Sequence, residues 1–163
     1  MSTLDPSRDP ALNPGVNPAE LSAAEWRALL SPMEFSVLRQ SGTERAGTGP
    51  YLDDPGPGAF HCVGCGQRLY GAVHKFHSGC GWPSFFDEIA PGALSVHTDV
   101  SFGMIRTEMR CARCGGHLGH IFDDAPRTPT GQRHCVNGAA ILHVPEGASV
   151  AEVFAAHRAS GRV

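Results

Sequence analysis

Residues 104–124 read M-I-R-T-E-M-R-C-A-R-C-G-G-H-L-G-H-I-F-D-D. The first part alternates. Ile105, Thr107, Met109 and Cys111 fall on one face of an extended chain, and Arg106, Glu108 and Arg110 on the other, because successive side chains of a strand point to opposite sides. The pattern predicts a strand over 104–111. It ends on Cys111-Ala-Arg-Cys114-Gly, and a further strand is expected near 118–122.

The same C-x-x-C-G occurs at Cys62-Val-Gly-Cys65-Gly. This spacing lets a tight turn aim two thiolates at one ion, and the glycine after the second cysteine allows the backbone to fold beneath the sulfurs. Two such pairs suggest one closed four-sulfur structural zinc site made by Cys62, Cys65, Cys111 and Cys114. The rival reading, a redox dithiol, needs only one pair and a βαβ setting.

Moving outward, the chain is rich in turns. It has 163 residues, 20 of them glycine and 13 proline, which favours short strands over long helices. Residues 133–144 read as another strand, with weaker segments near 59–62, 68–73 and 93–97. Two short helices are expected from capping boxes at Ser22-x-x-Glu25 and Ser31-Pro32-x-Glu34, the second ended by Gly42. A third box, Ser149-x-x-Glu152, starts a helix with Val150, Val153 and Phe154 on one stripe and Gly161 as its stop. The division expected is a flexible arm over 1–20, a domain over 21–144 and a helical extension over 145–163.

Composition narrows the function. The formal net charge is −3 and the basic residues are scattered, which opposes nucleic acid or an anionic membrane as partner, a zinc-ribbon nucleic-acid binder included. No apolar run is long enough to span a bilayer. The opening Met-Ser-Thr-Leu-Asp-Pro lacks a basic region followed by an apolar one, so a cytoplasmic, reducing compartment is expected, where cysteines serve metals or redox chemistry.

Two cysteines stand outside the pairs. If 133–137 is a strand, Arg133, Cys135 and Asn137 share a face. That places a nucleophile, a fixed positive charge that favours a thiolate, and a polar orienter on one surface. A buried core cysteine is the bland alternative. Cys80 lies in Ser-Gly-Cys80-Gly-Trp82-Pro-Ser. There Trp82 is either core or the wall of a pocket for an apolar or sulfur-bearing group. His117 and His120, followed by Phe122 and Asp124, are candidates to move protons near neutral pH. A non-catalytic zinc-stabilised module with Trp82 in an aromatic cage also remains open, although it leaves Cys80 and Cys135 unexplained.

Taken together, these blocks resemble the B-type methionine sulfoxide reductases, which act on the R epimer. The resemblance runs from about Ala24 to Val144 and rests on several blocks in order. They are Gly42-Thr43-Glu44, Cys62-x-x-Cys65, Lys75-Phe76-x-Ser78-Gly79-Cys80-Gly81-Trp82-Pro83-Ser84-Phe85, Gly103-Met104-x-Arg106-Thr107-Glu108, Cys111-x-x-Cys114-Gly-x-His117-Leu118-Gly119-His120, and Pro129-Thr130-Gly131-x-Arg133-x-Cys135-Val136-Asn137. It implies a mainly β fold of two antiparallel sheets, the β-tent of that family, with short peripheral helices and one structural zinc. It implies Cys135 as nucleophile and Cys80 as resolving cysteine, with His120, His117 and Arg133 assisting. Trp82, Phe122, Asp124 and Asn137 would bind substrate. The substrate would be methionine R-sulfoxide, free or in oxidised proteins, and a thioredoxin-type dithiol would be the reductant. The chain departs from the family pattern at His134, where tyrosine is common, and at Gly138-Ala139-Ala140, where Ser-Ala-Ser is common.

Overall fold

The computed structural model describes residues 5–160. The expectations for the first four residues and for Gly161 lie outside them. Both N-terminal helices form with their boxes intact. Helix α1 covers Ala23–Leu29 and helix α2 Pro32–Gln40, and each cap serine accepts from the backbone N–H of its Glu25 or Glu34 partner. The left-handed residue that ends α2 is Ser41, one position before the expected Gly42. Gly42 instead donates its N–H to the Ser36 carbonyl.

The strands are β1 (Gly58–Cys62), β2 (Arg68–Gly71), β3 (Lys75–Phe76), β4 (Ser84–Phe85), β5 (Leu94–Asp99), β6 (Arg106–Cys111), β7 (His117–Phe122), β8 (Arg133–Val136) and β9 (Ile141–Pro145). They make two antiparallel sheets, one ordered β2-β1-β9 and the other β3-β4-β8-β7-β6-β5. The single strand expected over 133–144 is two. A short 3-10 turn over Gly138–Ala140 separates them, and the chain passes there from the larger sheet to the smaller. Alternation could not reveal the break, since a crossing strand stays apolar where it bridges the two sheets through the core.

The core lies between the sheets. Tyr70 stacks on Phe85 at 4.2 Å between ring centroids, and Phe60 meets Phe85 edge-on at 5.0 Å. Trp26, Leu29, Val37 and Leu38 of the two helices close the assembly and are buried with it. The expected apolar face of β6 is only partly inside. Met109 and Cys111 are buried, but Ile105 is exposed, because the β5–β6 hairpin extends beyond the core into solvent.

Helix α3 covers Val150–Ala159, and Ser149 accepts from the Glu152 N–H. Its buried Arg158 pairs with buried Asp9 at 2.8 Å and donates to the Gly64 carbonyl. Asp9 belongs to the segment expected as a loose arm, whose carbonyls at Pro10, Pro14 and Val16 accept from Arg113. Among the described residues, no helix is long and apolar enough to cross a membrane.

Candidate active site

Two groups of cysteines form, each from elements that only the folded chain brings together. Cys62 ends β1 in the small sheet and Cys111 ends β6 in the large one. The turns that follow are equivalent. Gly66 and Gly115 adopt left-handed φ values of 83° and 71° and donate to the Cys62 and Cys111 carbonyls. The four sulfurs converge, all within 4.8 Å of one another. Cys62 and Cys114 stand 3.7 Å apart, and Cys65 and Cys111 3.4 Å apart. A tetrahedral four-thiolate ion with metal–sulfur bonds near 2.3 Å requires sulfurs about 3.8 Å apart, so the donor set fits a metal ion. Without a cation, hydrogen bonds shared with Cys111 and Cys114, together with burial, hold Cys62 and Cys65 well above the ordinary thiol range. Four thiolates at this spacing need a positive charge at their centre. A metal held here would link the two sheets.

The second group lies at a cavity of about 200 Å³. Cys135 is on β8, between Ser84 of β4 on one side and His120 of β7 on the other. The β7–β8 approach depends on Gly119, whose missing Cβ would stand 1.9 Å from the Cys135 carbonyl oxygen. Cys80 arrives on the loop before β4, and its sulfur lies 3.9 Å from that of Cys135. Both are free thiols.

The two thiols are electrostatically unlike. Burial pushes Cys80 up, but hydrogen bonds from the Ser78 and Ser84 hydroxyls overcome it and bring the thiol down to about 7. Burial, followed by the charge and hydrogen bond of Cys80, pushes Cys135 up to about 12, and Arg133 draws it back only in part. Arg133 was expected to set the Cys135 thiolate from the shared strand face. It does line the cavity, but its guanidinium is held by both oxygens of Asp124 at 3.0 Å and lies over the Phe122 ring at 4.5 Å. In the reduced pair the first negative charge therefore resides on Cys80.

Trp82, His120, Phe122 and Asn137 also line the cavity. The Trp82 indole N–H donates to the Glu44 carbonyl at 3.0 Å, which fixes the ring. Asn137 is buried. Its Oδ1 accepts from the Glu44 N–H and its Nδ2 donates to the Leu118 carbonyl, so it joins the 43–44 loop to β7. Asp124 stands at the rim and reaches the site through Arg133.

The two histidines part company. His120 faces the cavity and donates Nε2–H to Asp99 at 2.8 Å. His117 does not line it. A bulge at Leu118 in the β6–β7 pair sets His117 opposite Arg110 on the same sheet face as His120, where it is buried beside that ring with Nδ1 on Glu108 at 2.6 Å. Burial lowers its pKa, although the Glu108 carboxylate opposes the shift.

Sequence reasoning missed Arg106, Thr43 and Asp99. Arg106 and Thr43 line the cavity, and both stand in quoted blocks. Asp99 bonds His120 and Arg106 from the far end of β5, and no local pattern marks it. His134, the departure beside Cys135, points to the opposite face. It is buried against Tyr70, whose hydroxyl meets its Nδ1 at 2.9 Å, so it forms part of the core and not of the cavity.

A family model described as the SelR domain matches residues 30–145. Among curated proteins, the chain is 47% identical over 133 residues to the peptide methionine sulfoxide reductase MsrB of Agrobacterium fabrum strain C58, covering 82% of this chain and 96% of the relative. It is 50% identical over 125 residues to the protein of that name from Synechococcus sp. strain RCC307, covering 77% and 91%. A third, from Leifsonia xyli, is 48% identical over 125 residues, covering 77% and 90%.

Proposed function

The chain belongs to the SelR-domain family of MsrB peptide methionine sulfoxide reductases, and on that footing we propose that Cys135 attacks the sulfoxide and Cys80 resolves the product. The enzyme is an oxidoreductase that reduces methionine sulfoxide to methionine with thiols, a protein-repair reaction. The observation that carries the assignment of roles is the Cys80–Cys135 sulfur pair, 3.9 Å apart, with Cys135 lining the same cavity as His120 and Trp82.

Cys135 passes its proton to the Cys80 thiolate across their contact, and its own thiolate bonds to the sulfoxide sulfur. The sulfoxide oxygen gains a proton, for which His120 is the donor, its ring held by Asp99, and the substrate sulfur then carries both Cys135 and a hydroxyl. The hydroxyl then passes to the Cys135 sulfur as the S–S and S–O bonds of this adduct break and the electron pair stays on the substrate sulfur, so methionine leaves and Cys135 carries the oxygen as sulfenic acid. Cys80 attacks that sulfur, the hydroxyl departs as water, and a Cys80–Cys135 disulfide forms. A thioredoxin-type dithiol reduces it by exchange and is itself oxidised to a disulfide.

Trp82 walls the substrate's methyl group, with Phe122 beside it. Arg133, fixed by Asp124, supplies positive charge near the sulfenate. His117 acts beside His120, holding it in place. Zinc is the ion we assign to Cys62, Cys65, Cys111 and Cys114. A closed four-thiolate site takes no step in the reaction and serves stability. The catalytic unit is residues 21–144, the substrate the R epimer in proteins or free, and the compartment the cytoplasm.

Turnover of separated R- and S-methionine sulfoxides with a dithiol reductant tests the reading. Methionine should form from the R epimer alone. Activity on the S epimer, or on neither, would overturn it.

A further inference from the structure

Eight large apolar side chains stand out into solvent among the described residues, and four of them, Val100, Phe102, Met104 and Ile105, lie within six positions. Phe102 is 88% exposed and Ile105 83%. Scattered exposed apolar residues are ordinary, but a cluster asks for a partner.

The cluster is the tip of the β5–β6 hairpin and begins at the cavity's edge. Asp99 and Arg106 are the last paired residues before it. Arg106 lines the cavity, and Asp99 accepts from both Arg106 and His120. The other Asp99 oxygen accepts from the Ser101 N–H at 2.9 Å. One carboxylate thus fastens the tip to the catalytic histidine.

The tip is also held in an unfavourable conformation. Phe102 has φ 56° and ψ 27°, the left-handed region that residues with a Cβ seldom adopt. The turn is closed by the Met104 N–H donating to the Ser101 carbonyl at 3.1 Å. The strain presents a bare phenyl ring to solvent where packing gives it nothing. Strained positions of this kind gather at functional sites.

We propose that Val100, Phe102 and Ile105 form a docking lip for the apolar residues that flank a methionine sulfoxide in an unfolded polypeptide. The proposal rests on the reading of the cavity as a sulfoxide site. Methionine is a residue of cores and apolar interfaces, so residues two to four positions away that share its buried face are often apolar too. Oxidation makes it polar, disrupts the packing and exposes those neighbours. Residues 100–105, V-S-F-G-M-I, carry no charge. The lip holds such a flank while the sulfoxide enters between Trp82 and Cys135. A free amino acid has no flank to offer.

The test compares the parent with Phe102→Asn, which suits the left-handed backbone, and with Ile105→Thr. Three R-sulfoxide substrates are used: N-acetyl-methionine sulfoxide amide, a heptapeptide with leucine and valine around the sulfoxide, and one with serine and glycine there. For the apolar heptapeptide, KM should rise roughly five- to twenty-fold with kcat kept, the loss expected from removing one buried aromatic or branched contact. The other two substrates should change by less than about twofold. Equal losses on all three substrates, or none on the apolar one, would overturn the lip. So would sedimentation showing that the parent dimerises and Phe102→Asn does not, since a second copy would then be the occupant. A parent inactive on all three overturns the sulfoxide reading itself, a result distinct from an active parent whose variants behave alike.

Discussion

Cys80 and Cys135 stand 3.9 Å apart, sulfur to sulfur, although 55 positions separate them in the chain. The contact makes each thiol part of the other's electrostatic environment. The reduced pair should lose its first proton near pH 7 from Cys80 and its second only near 12 from Cys135. Raising the pH through 7 should therefore increase alkylation by iodoacetamide, with the label on Cys80. Cys80→Ser removes the neighbouring charge, so the Cys135 pKa should fall below 12, and Arg133→Ala in that background should raise it again. Thiolate absorbance against pH reads all three. A Cys135 titration that ignores Cys80 would mean that the two sulfurs do not share a site.

His120 and His117 should answer differently to the same substitution. His120→Asn should lower kcat by roughly a hundredfold or more, the ordinary contribution of a positioned general acid, and leave the fold alone. Asp99→Asn, which keeps a partner but loses the charge, should lower kcat less. His117→Asn should instead cost about 1–3 kcal/mol of stability, because Glu108 is buried and loses a bond. Urea unfolding and steady-state kinetics on the three variants separate these outcomes.

Removal of the metal should unfold the protein and not merely slow it. Cys62 ends a strand of one sheet and Cys111 a strand of the other, so the ion's contribution holds the sheets together. Binding energy at structural zinc sites is folding energy, about 10–16 kcal/mol in small peptides, and part of it is lost with one ligand. Cys62→Ser or strong chelation should lower the melting temperature sharply, with one zinc per chain released. A zinc-free parent that melts at the same temperature would contradict this.

Breaking the Asp9–Arg158 pair should matter more than a surface ion pair would. Both side chains are essentially fully buried. Arg158→Met leaves an unpaired carboxylate inside and should cost about 3–5 kcal/mol, while Asp9→Leu with Arg158→Met should recover much of that. The kcat of the folded variants should be unchanged, since the pair lies by the four-cysteine cluster and not by the cavity. Denaturant midpoints would measure the cycle.

What the sequence disclosed follows what local pattern can encode. The knuckles at Cys62 and Cys111 and the boxes at Ser22 and Ser31 are short-range devices whose geometry is written in four or five residues, and they form as read. Through-space partnerships left no such trace. Asp99 reaches His120 from a neighbouring region of the sheet, Glu44 accepts from Trp82, and Asp9 meets Arg158 across nearly the whole chain. Both histidines were expected to move protons, and a bulge that alternation cannot show puts them on one face, but only His120 lines the cavity while His117 is buried on Glu108. Ile105 shares a strand face with Met109 and Cys111 yet stands in solvent, because the pattern gives a face and not where the core stops.

The last prediction separates the two solitary thiols. If Cys135 is the nucleophile, Cys135→Ser should abolish even one turnover, since a hydroxyl is far less nucleophilic at neutral pH. Cys80→Ser should still release about one methionine per enzyme and then stall, because the first step needs only Cys135. Dimedone should label the stalled enzyme on Cys135, as no neighbouring thiol is left to condense with the sulfenic acid. Loss of Cys80 also removes the base nearest Cys135, so the first turnover in Cys80→Ser should be slower than in the parent at pH 7. It should recover as the pH is raised toward the new Cys135 pKa. Turnover with thioredoxin should fall steeply, while a small thiol that enters the cavity restores part of it. Quenched-flow counting of methionine, with mass spectrometry of the labelled cysteine, reads each outcome. A first turnover kept by Cys135→Ser and lost by Cys80→Ser would exchange the roles of the two residues.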